Sequence, residues 1–252
     1  MVENVNEIEI RECSTVEELS ECVRLQREVF ALPEIEISPV RHFIVTKNAG
    51  GFTLGAFAGG VLVGFVLSVP AYLRGARAFY SHMTAVKREF QGSGIGARLK
   101  WAQRDRSLRE GVKFIKWTFE PTKARNAFFN LEKLGAVIRE IKENFYGVDY
   151  ATAPEQAHVT GLASDRLFGE WELESEKVKA LAAGATFIET RPLACEIIIP
   201  PDWYKLVASG AEAALPEQLR IRSEFEAAFS RREACRGFER DEASPRFLLY
   251  KD

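Results

Sequence analysis

The segment EFQGSGIGARL, Glu89 to Leu99, places glycines at 92, 94 and 96 just ahead of a helical pattern. This cluster constrains the fold more than any other stretch. A helix opens with unpaired backbone N–H groups and a partial positive charge. Glycines there remove the Cβ atoms that would hold a ligand away from the backbone. The segment therefore predicts a strand–loop–helix unit whose helix start suits an anion such as a pyrophosphate. A plain turn that uses convenient glycines is the bland alternative.

Elements around the cluster follow from pattern and punctuation. Glu7–Arg11 alternates as a short strand. Ser14 with Glu17 and Thr15 with Glu18 offer overlapping capping boxes for a helix ending near Phe30, before Pro33. A helical stretch follows Pro39. Phe52–Ala58 and Val61–Val69 form a hairpin about Gly59-Gly60, and Phe79–Val86 is the next strand. The helix after the glycines stops at Gly111, and Val112–Phe119 is a strand. Ala124 to Leu134 has helical spacing closed by Gly135, and Ala136–Phe145 is strand-like. A helix between strands implies at least one parallel pair in an otherwise antiparallel sheet.

The character changes after Tyr150. Ala151–Ala163 reads as a linker, Arg166–Leu173 as a strand, Glu174–Ala183 as a helix and Ala194–Ile199 as a strand. Pro216–Phe229 reads as a helix with the proline in its first turn, and Gly237–Tyr250 as a hairpin. The fold class is α/β, strictly α+β: a mixed, mainly antiparallel sheet flanked by helices over residues 1–150, with an α+β extension over 151–252.

With 46% apolar and 28% charged residues in 252, the chain can bury a core without disulfides. A net charge of −2 argues against a dedicated nucleic-acid binder. The longest apolar run, near Val61–Val69, is too short to span a membrane. Cys13, Cys22, Cys195 and Cys235 form no CxxC pair and His42, His82 and His158 are scattered, so no metal site is expected. These features point to a reduced, cytoplasmic protein.

Two motifs fit the glycines. GSGIGA satisfies a dinucleotide-binding GxGxxA, but KREFQ separates Val86 from Gly92, and the nearest strand-end acid, Glu120, lies too far along. Gln91, Gly94 and Gly96 instead satisfy QxxGxG after a strand ending in Ala-Val. The segment HMTAVKREFQGSGIGARL resembles the acyl-CoA-binding core of the GNAT acetyltransferase superfamily, and the element order from Glu7 to Phe145, with NLEKLGA before a further strand, resembles that fold.

The resemblance implies an acyl-CoA-dependent N-acyltransferase that moves an acetyl group from acetyl-CoA to the amine of a small molecule. It implies that Gln91, Gly92, Ser93, Gly94, Ile95 and Gly96 hold the CoA pyrophosphate, with Arg98 near its phosphates. Lys87, Arg88, Lys123 and Arg125 could also reach a phosphate. Thr84, Ala85 and Val86 would pair with the pantetheine arm, and a backbone N–H near Met83 or Thr84 would stabilise the oxyanion. Many members carry an Asn at the start of the helix before the sixth strand; here Ala124 stands there and Asn126 follows. Many also carry a Tyr as general acid four residues before the closing Gly, where this chain has Leu131. Tyr146, Tyr150 or Tyr80 could replace it. Glu120 and His82 are the candidate bases, each with a structural alternative: a strand-end carboxylate and a sheet-face histidine. Trp171, Trp203 and Tyr204 could line an acceptor pocket or pack in a core. The extension could close the acceptor side of the sheet or form a homodimer interface. The rival function is a catalytically inactive acyl-CoA-binding or regulatory protein of the same fold.

Overall fold

A computed structural model describes residues 8–30, 32–150 and 161–252. They form two compact units that divide between Lys116 and Trp117.

The first unit runs β1 (Ile8–Glu12), α1 (Val16–Val29), α2 (Val40–Asn48), β2 (Phe52–Ala58), β3 (Val61–Leu73), β4 (Ala76–Val86), α3 (Ile95–Arg109) and the start of β5 (Phe114–Phe119). Its strands lie in the order β1-β2-β3-β4-β5. Three neighbouring pairs are antiparallel, and β4 runs parallel to β5 at Phe79–Ile115 and Tyr80–Lys116. This is the expected mixed sheet. All seven residues of β2 are buried, which explains why FTLGAFA shows no alternation. Phe43 of α2 and Leu19, Cys22 and Val23 of α1 pack with Phe65 and Leu67 on one face. Helix α3 packs against β2, β3 and β4.

The local signals act as read. Of the two capping boxes, Thr15–Glu18 forms: Thr15 Oγ1 accepts from the Glu18 N–H at 3.2 Å and Glu18 Oε2 accepts from the Thr15 N–H at 3.3 Å. Gly59 and Gly60 take φ of +54° and +84° in the hairpin turn. Strand β3 extends past Val69 through Pro70 to Leu73, longer than expected. Glu7, counted in the first strand by sequence, and 151–160 of the expected linker lie outside the described residues.

The second unit holds α4 (Ala124–Phe128) with a π-turn at Phe129–Lys133, then β6 (Val137–Lys142), β7 (Arg166–Glu172), α5 (Glu176–Ala182), β8 (Leu193–Ile198), α6 (Trp203–Ala208), α7 (Ala211–Ser230), β9 (Glu233–Glu239) and β10 (Arg246–Lys251). Its strand order is β7-β6-β9-β10-β8. The β6–β7, β6–β9, β9–β10 and β10–β8 pairs are antiparallel. Phe247 of β10 meets Phe225 of α7 at 5.1 Å and Phe238 of β9 at 4.9 Å between ring centroids. Trp171 is fully buried, and its indole N–H donates to the Leu134 carbonyl at 2.6 Å. It is a core residue.

Helix α7 corrects one expectation. It begins at Ala211, so Pro216 is its sixth residue and not in its first turn. Proline there removes the donor that the Glu212 carbonyl would receive. The preceding AEAAL is strongly helix-forming, and that propensity outweighs the proline as a start signal. Helix α6 was not expected; Asp202 caps it by accepting from the Lys205 N–H at 2.9 Å.

Candidate active site

The glycine segment begins where β4 ends. A 3₁₀ turn at Arg88–Phe90 follows Lys87, and α3 starts at Ile95 with Gly94 as its N-cap. Gly92 and Gly94 have φ of +81° and +88°, so the backbone itself demands glycine at both. Gly96 is different. It sits in the first helical turn with no positive φ, and a Cβ built there meets no atom within 4 Å. Neither backbone strain nor crowding within the protein explains this glycine.

The helix start is open. Gly94 offers no side-chain cap, and the first intrahelical bond runs from the Arg98 N–H to the Gly94 carbonyl at 3.0 Å. The N–H groups of Ile95, Gly96 and Ala97 therefore precede the helical ladder and face outward along the dipole. The Gln91 backbone N–H donates to Arg88 O at 3.2 Å and its Nε2 to Val86 O at 2.9 Å. Ser93 Oγ donates to Phe90 O at 2.5 Å. Both side chains brace the loop. Arg98 donates through Nη2 to the Ile8 carbonyl at 2.6 Å, tying α3 to β1.

Strand β4 presents a second feature. The Lys87 N–H donates to Val63 O of β3 at 2.9 Å. Antiparallel alternation then turns Ala85 and Met83 toward β3, and turns the N–H and C=O of Val86 and Thr84 to the opposite edge. Of the two oxyanion candidates, Met83 and Thr84, only Thr84 presents its N–H there. The register of β4 on β3 shifts between Met83 and Ser81, leaving His82 as the extra residue. Such a bulge re-aims a side chain.

His82 meets the His42 ring edge-on at 5.4 Å. His42 Nδ1 lies 3.1 Å from Ser38 Oγ, and the fully buried Gln26 holds the Ser38 backbone by two bonds of 3.0 and 3.1 Å. Crowding by neighbouring atoms, then the charge of His42, lowers the His82 imidazole to about pKa 4. The ring is neutral at pH 7. On the other side of β4, the buried Lys100 of α3 donates to Ser81 Oγ at 2.9 Å, and burial lowers its pKa to about 7.

The other predicted site residues lie in the second unit. Glu120 Oε1 is 2.7 Å from Lys123 Nζ and 2.9 Å from Arg166 Nη1. Burial alone would raise its pKa, but the two cations outweigh it and hold the carboxyl below its usual range. The Tyr146 hydroxyl is 3.2 Å from Thr118 Oγ1, and its ring stacks on Tyr150 at 4.5 Å. Arg166 brings this group together, with its guanidinium 5.1 Å from the Tyr146 ring and 5.5 Å from the Tyr150 ring. Asn126 is exposed on α4, and Leu131 is fully buried in the π-turn. Arg166, His42 and Gln26 carried no sequence signal, because each acquires its role from a partner distant in the chain.

Comparison with known proteins matches residues 14–136 to the Acetyltransferase (GNAT) family. No curated protein matches the sequence. Among solved structures, the ribosomal-protein-S18-alanine N-acetyltransferase from Escherichia coli aligns at 16% identity over 67% of this chain and 97% of that chain, with a TM-score of 0.50. A GNAT-family acetyltransferase from Streptococcus pneumoniae aligns at 16% identity over 65% and 98%, TM-score 0.50. A Streptococcus mutans protein aligns at 16% over 66% and 99%, TM-score 0.51. At such identity these structures speak for the fold alone. The sequence match, the mixed sheet and the strand–QGSGIG–helix unit converge: residues 14–136 of this chain form a domain of the GNAT acetyltransferase family.

Proposed function

We propose that the protein transfers an acetyl group from acetyl-CoA to the amine of a small molecule by direct attack. The observation that carries the donor half is Gly96, whose missing Cβ has no cause inside the protein and lies beside three unpaired helix N–H groups. A pyrophosphate at that position would accept those N–H groups along the helix dipole. The edge groups of Thr84 and Val86 would pair with the amides of pantetheine as a further strand does. The Thr84 N–H would then donate to the thioester oxygen as it gains negative charge.

A free alkyl amine has a pKa of about 10.4, so roughly one molecule in 2,500 is neutral at pH 7. A base must take the proton as the N–C bond forms and the C–S bond breaks. His82 is in the protonation state this needs and shares the unit that carries the donor features. Glu120 is already clasped by two cations, and its geometry supports a structural part better than a proton-accepting one. We place the reaction in the cytoplasm.

The second reading is an acyl-CoA binder without turnover, favoured by the buried Leu131 at the family's tyrosine position. Incubation with acetyl-CoA and a panel of primary amines, with thiol release as readout, separates the two. Amine-dependent release of free CoA supports the enzyme. Tight acetyl-CoA binding with no release over any amine supports the binder.

A further inference from the structure

Gln26 lies fully buried on α1, and both ends of its amide are committed to one residue. Its Oε1 accepts the Ser38 N–H at 3.0 Å and its Nε2 donates to the Ser38 carbonyl at 3.1 Å. Ser38 Oγ lies 3.1 Å from His42 Nδ1, and the His42 ring meets the His82 ring edge-on at 5.4 Å. We propose that His42 is a positioning residue for His82, set in place from α1 through Gln26 and Ser38. The proposal rests on the reading of His82 as the proton acceptor.

His82 needs such a neighbour. The bulge on β4 takes its side chain out of the regular alternation of the strand. No hydrogen bond holds its ring among the described residues. A ring free to change rotamer aims its nitrogen lone pair correctly only part of the time, and a base works in proportion to that time. The His42 ring stands at 70° to it, and the attraction between a ring edge and a ring face favours that one arrangement.

His42 is fixed where His82 is not. Its neighbour Phe43 is buried against Phe65, with ring centroids 5.9 Å apart, which seats α2 on the sheet. Pro39 opens α2 without a side-chain cap, so the Gln26 amide sets the backbone just ahead of the helix. Ser38 and His42 are four residues apart, about one helical turn, and the serine hydroxyl there fixes the rotation of the imidazole. Seating α2 alone would need neither that hydroxyl nor a ring at position 42. Together the two side chains turn the anchorage of a helix into the orientation of the ring that meets His82.

The test follows the His82 imidazole by NMR titration without ligand, and CoA release with acetyl-CoA and a panel of primary amines. Crowding and the charge of His42 depress the His82 imidazole, and no other charged group contributes among the described residues. His42→Ala removes the share of both that His42 supplies, so the His82 titration should rise by about one pH unit toward its ordinary value. His42→Phe keeps the ring and should hold the titration nearer to wild type than alanine does. Ser38→Ala loses only the hydroxyl and keeps the backbone bonds to Gln26, so the fold should persist and His82 should shift the same way by less. In turnover, His42→Ala should lower kcat about tenfold with the KM for acetyl-CoA unchanged, and His42→Phe should restore most of it. An unmoved His82 titration in folded His42→Ala and Ser38→Ala, or a phenylalanine variant as impaired as the alanine one, would overturn the proposal. A His82→Gln variant that releases CoA at the wild-type rate would instead remove the base assignment, and the titration would still decide whether His42 holds His82.

Discussion

Gln91 Nε2 donates to the Val86 carbonyl at 2.9 Å, so the loop that opens α3 is tied to the last residue of the strand that leads into it. The strand edge and the helix N-terminus are thereby held as one unit, and substitutions there should separate stability from ligand binding.

Gly96→Ala is the sharpest case. The position is helical and open, so alanine should stabilise the protein by about 0.4–1 kcal/mol. The same methyl group should weaken acetyl-CoA binding. A rise in thermal midpoint with a fall in affinity, measured on one preparation, is the expected pair. Gly94→Ala should instead destabilise by about 1–2 kcal/mol, because φ of +88° is costly for an L side chain.

Glu120→Gln should cost about 3 kcal/mol, since it leaves Lys123 and Arg166 as poorly compensated, largely buried cations. The carboxyl pKa is depressed in the fold, so its contribution is present above the unfolded pKa near 4.5 and is lost as pH falls through the lower folded value. Denaturant unfolding of wild type and variant should therefore converge in acid. A variant of unchanged stability with no turnover would return Glu120 to a catalytic role.

His82→Gln should lower kcat by about 100-fold or more while leaving the affinity for acetyl-CoA nearly intact. The His82 imidazole should titrate below the ordinary histidine value of 6.5 in an NMR titration. Because the unfolded chain takes up that proton first, His82 lowers stability as pH falls below 6.5. A His82 titration at or above 6.5 would contradict the environment described.

Lys100 supplies the opposite end of the pH range. Its folded pKa of about 7 lies below the ordinary 10.5, so the unfolded chain binds the extra proton between those values. Stability should rise with pH across that window, and Lys100→Met should remove the rise. Chemical denaturation of both proteins from pH 7 to 10 checks this.

Much of the first unit was legible because its signals are local. The Thr15–Glu18 cap, the Gly59-Gly60 turn and the glycine loop each act within a few residues. Pro216 misled because a helix start was read from one residue against the stronger propensity of the five before it. Of the candidate site, the strand–glycine–helix unit could be read from the sequence and the side-chain meetings could not. His42 meets His82, and Arg166 meets Glu120 and Tyr146, across long stretches of chain, and no spacing rule reports such meetings. The fate of Leu131 was half visible: the absent tyrosine could be read, its complete burial could not.

The central claim is that the open start of α3 holds the pyrophosphate of acetyl-CoA. Calorimetric titration of wild type and Gly96→Glu with acetyl-CoA, CoA and NAD(P)H tests it most directly. Glutamate at this open first-turn position suits the helix dipole, so the variant should stay folded while placing a negative charge where phosphate would lie. The account predicts binding of acetyl-CoA and CoA to wild type with Kd on the order of micromolar, none of the nicotinamide cofactors, and loss of CoA binding in the folded variant. Absence of CoA binding to wild type, or equal affinity in Gly96→Glu, would contradict it.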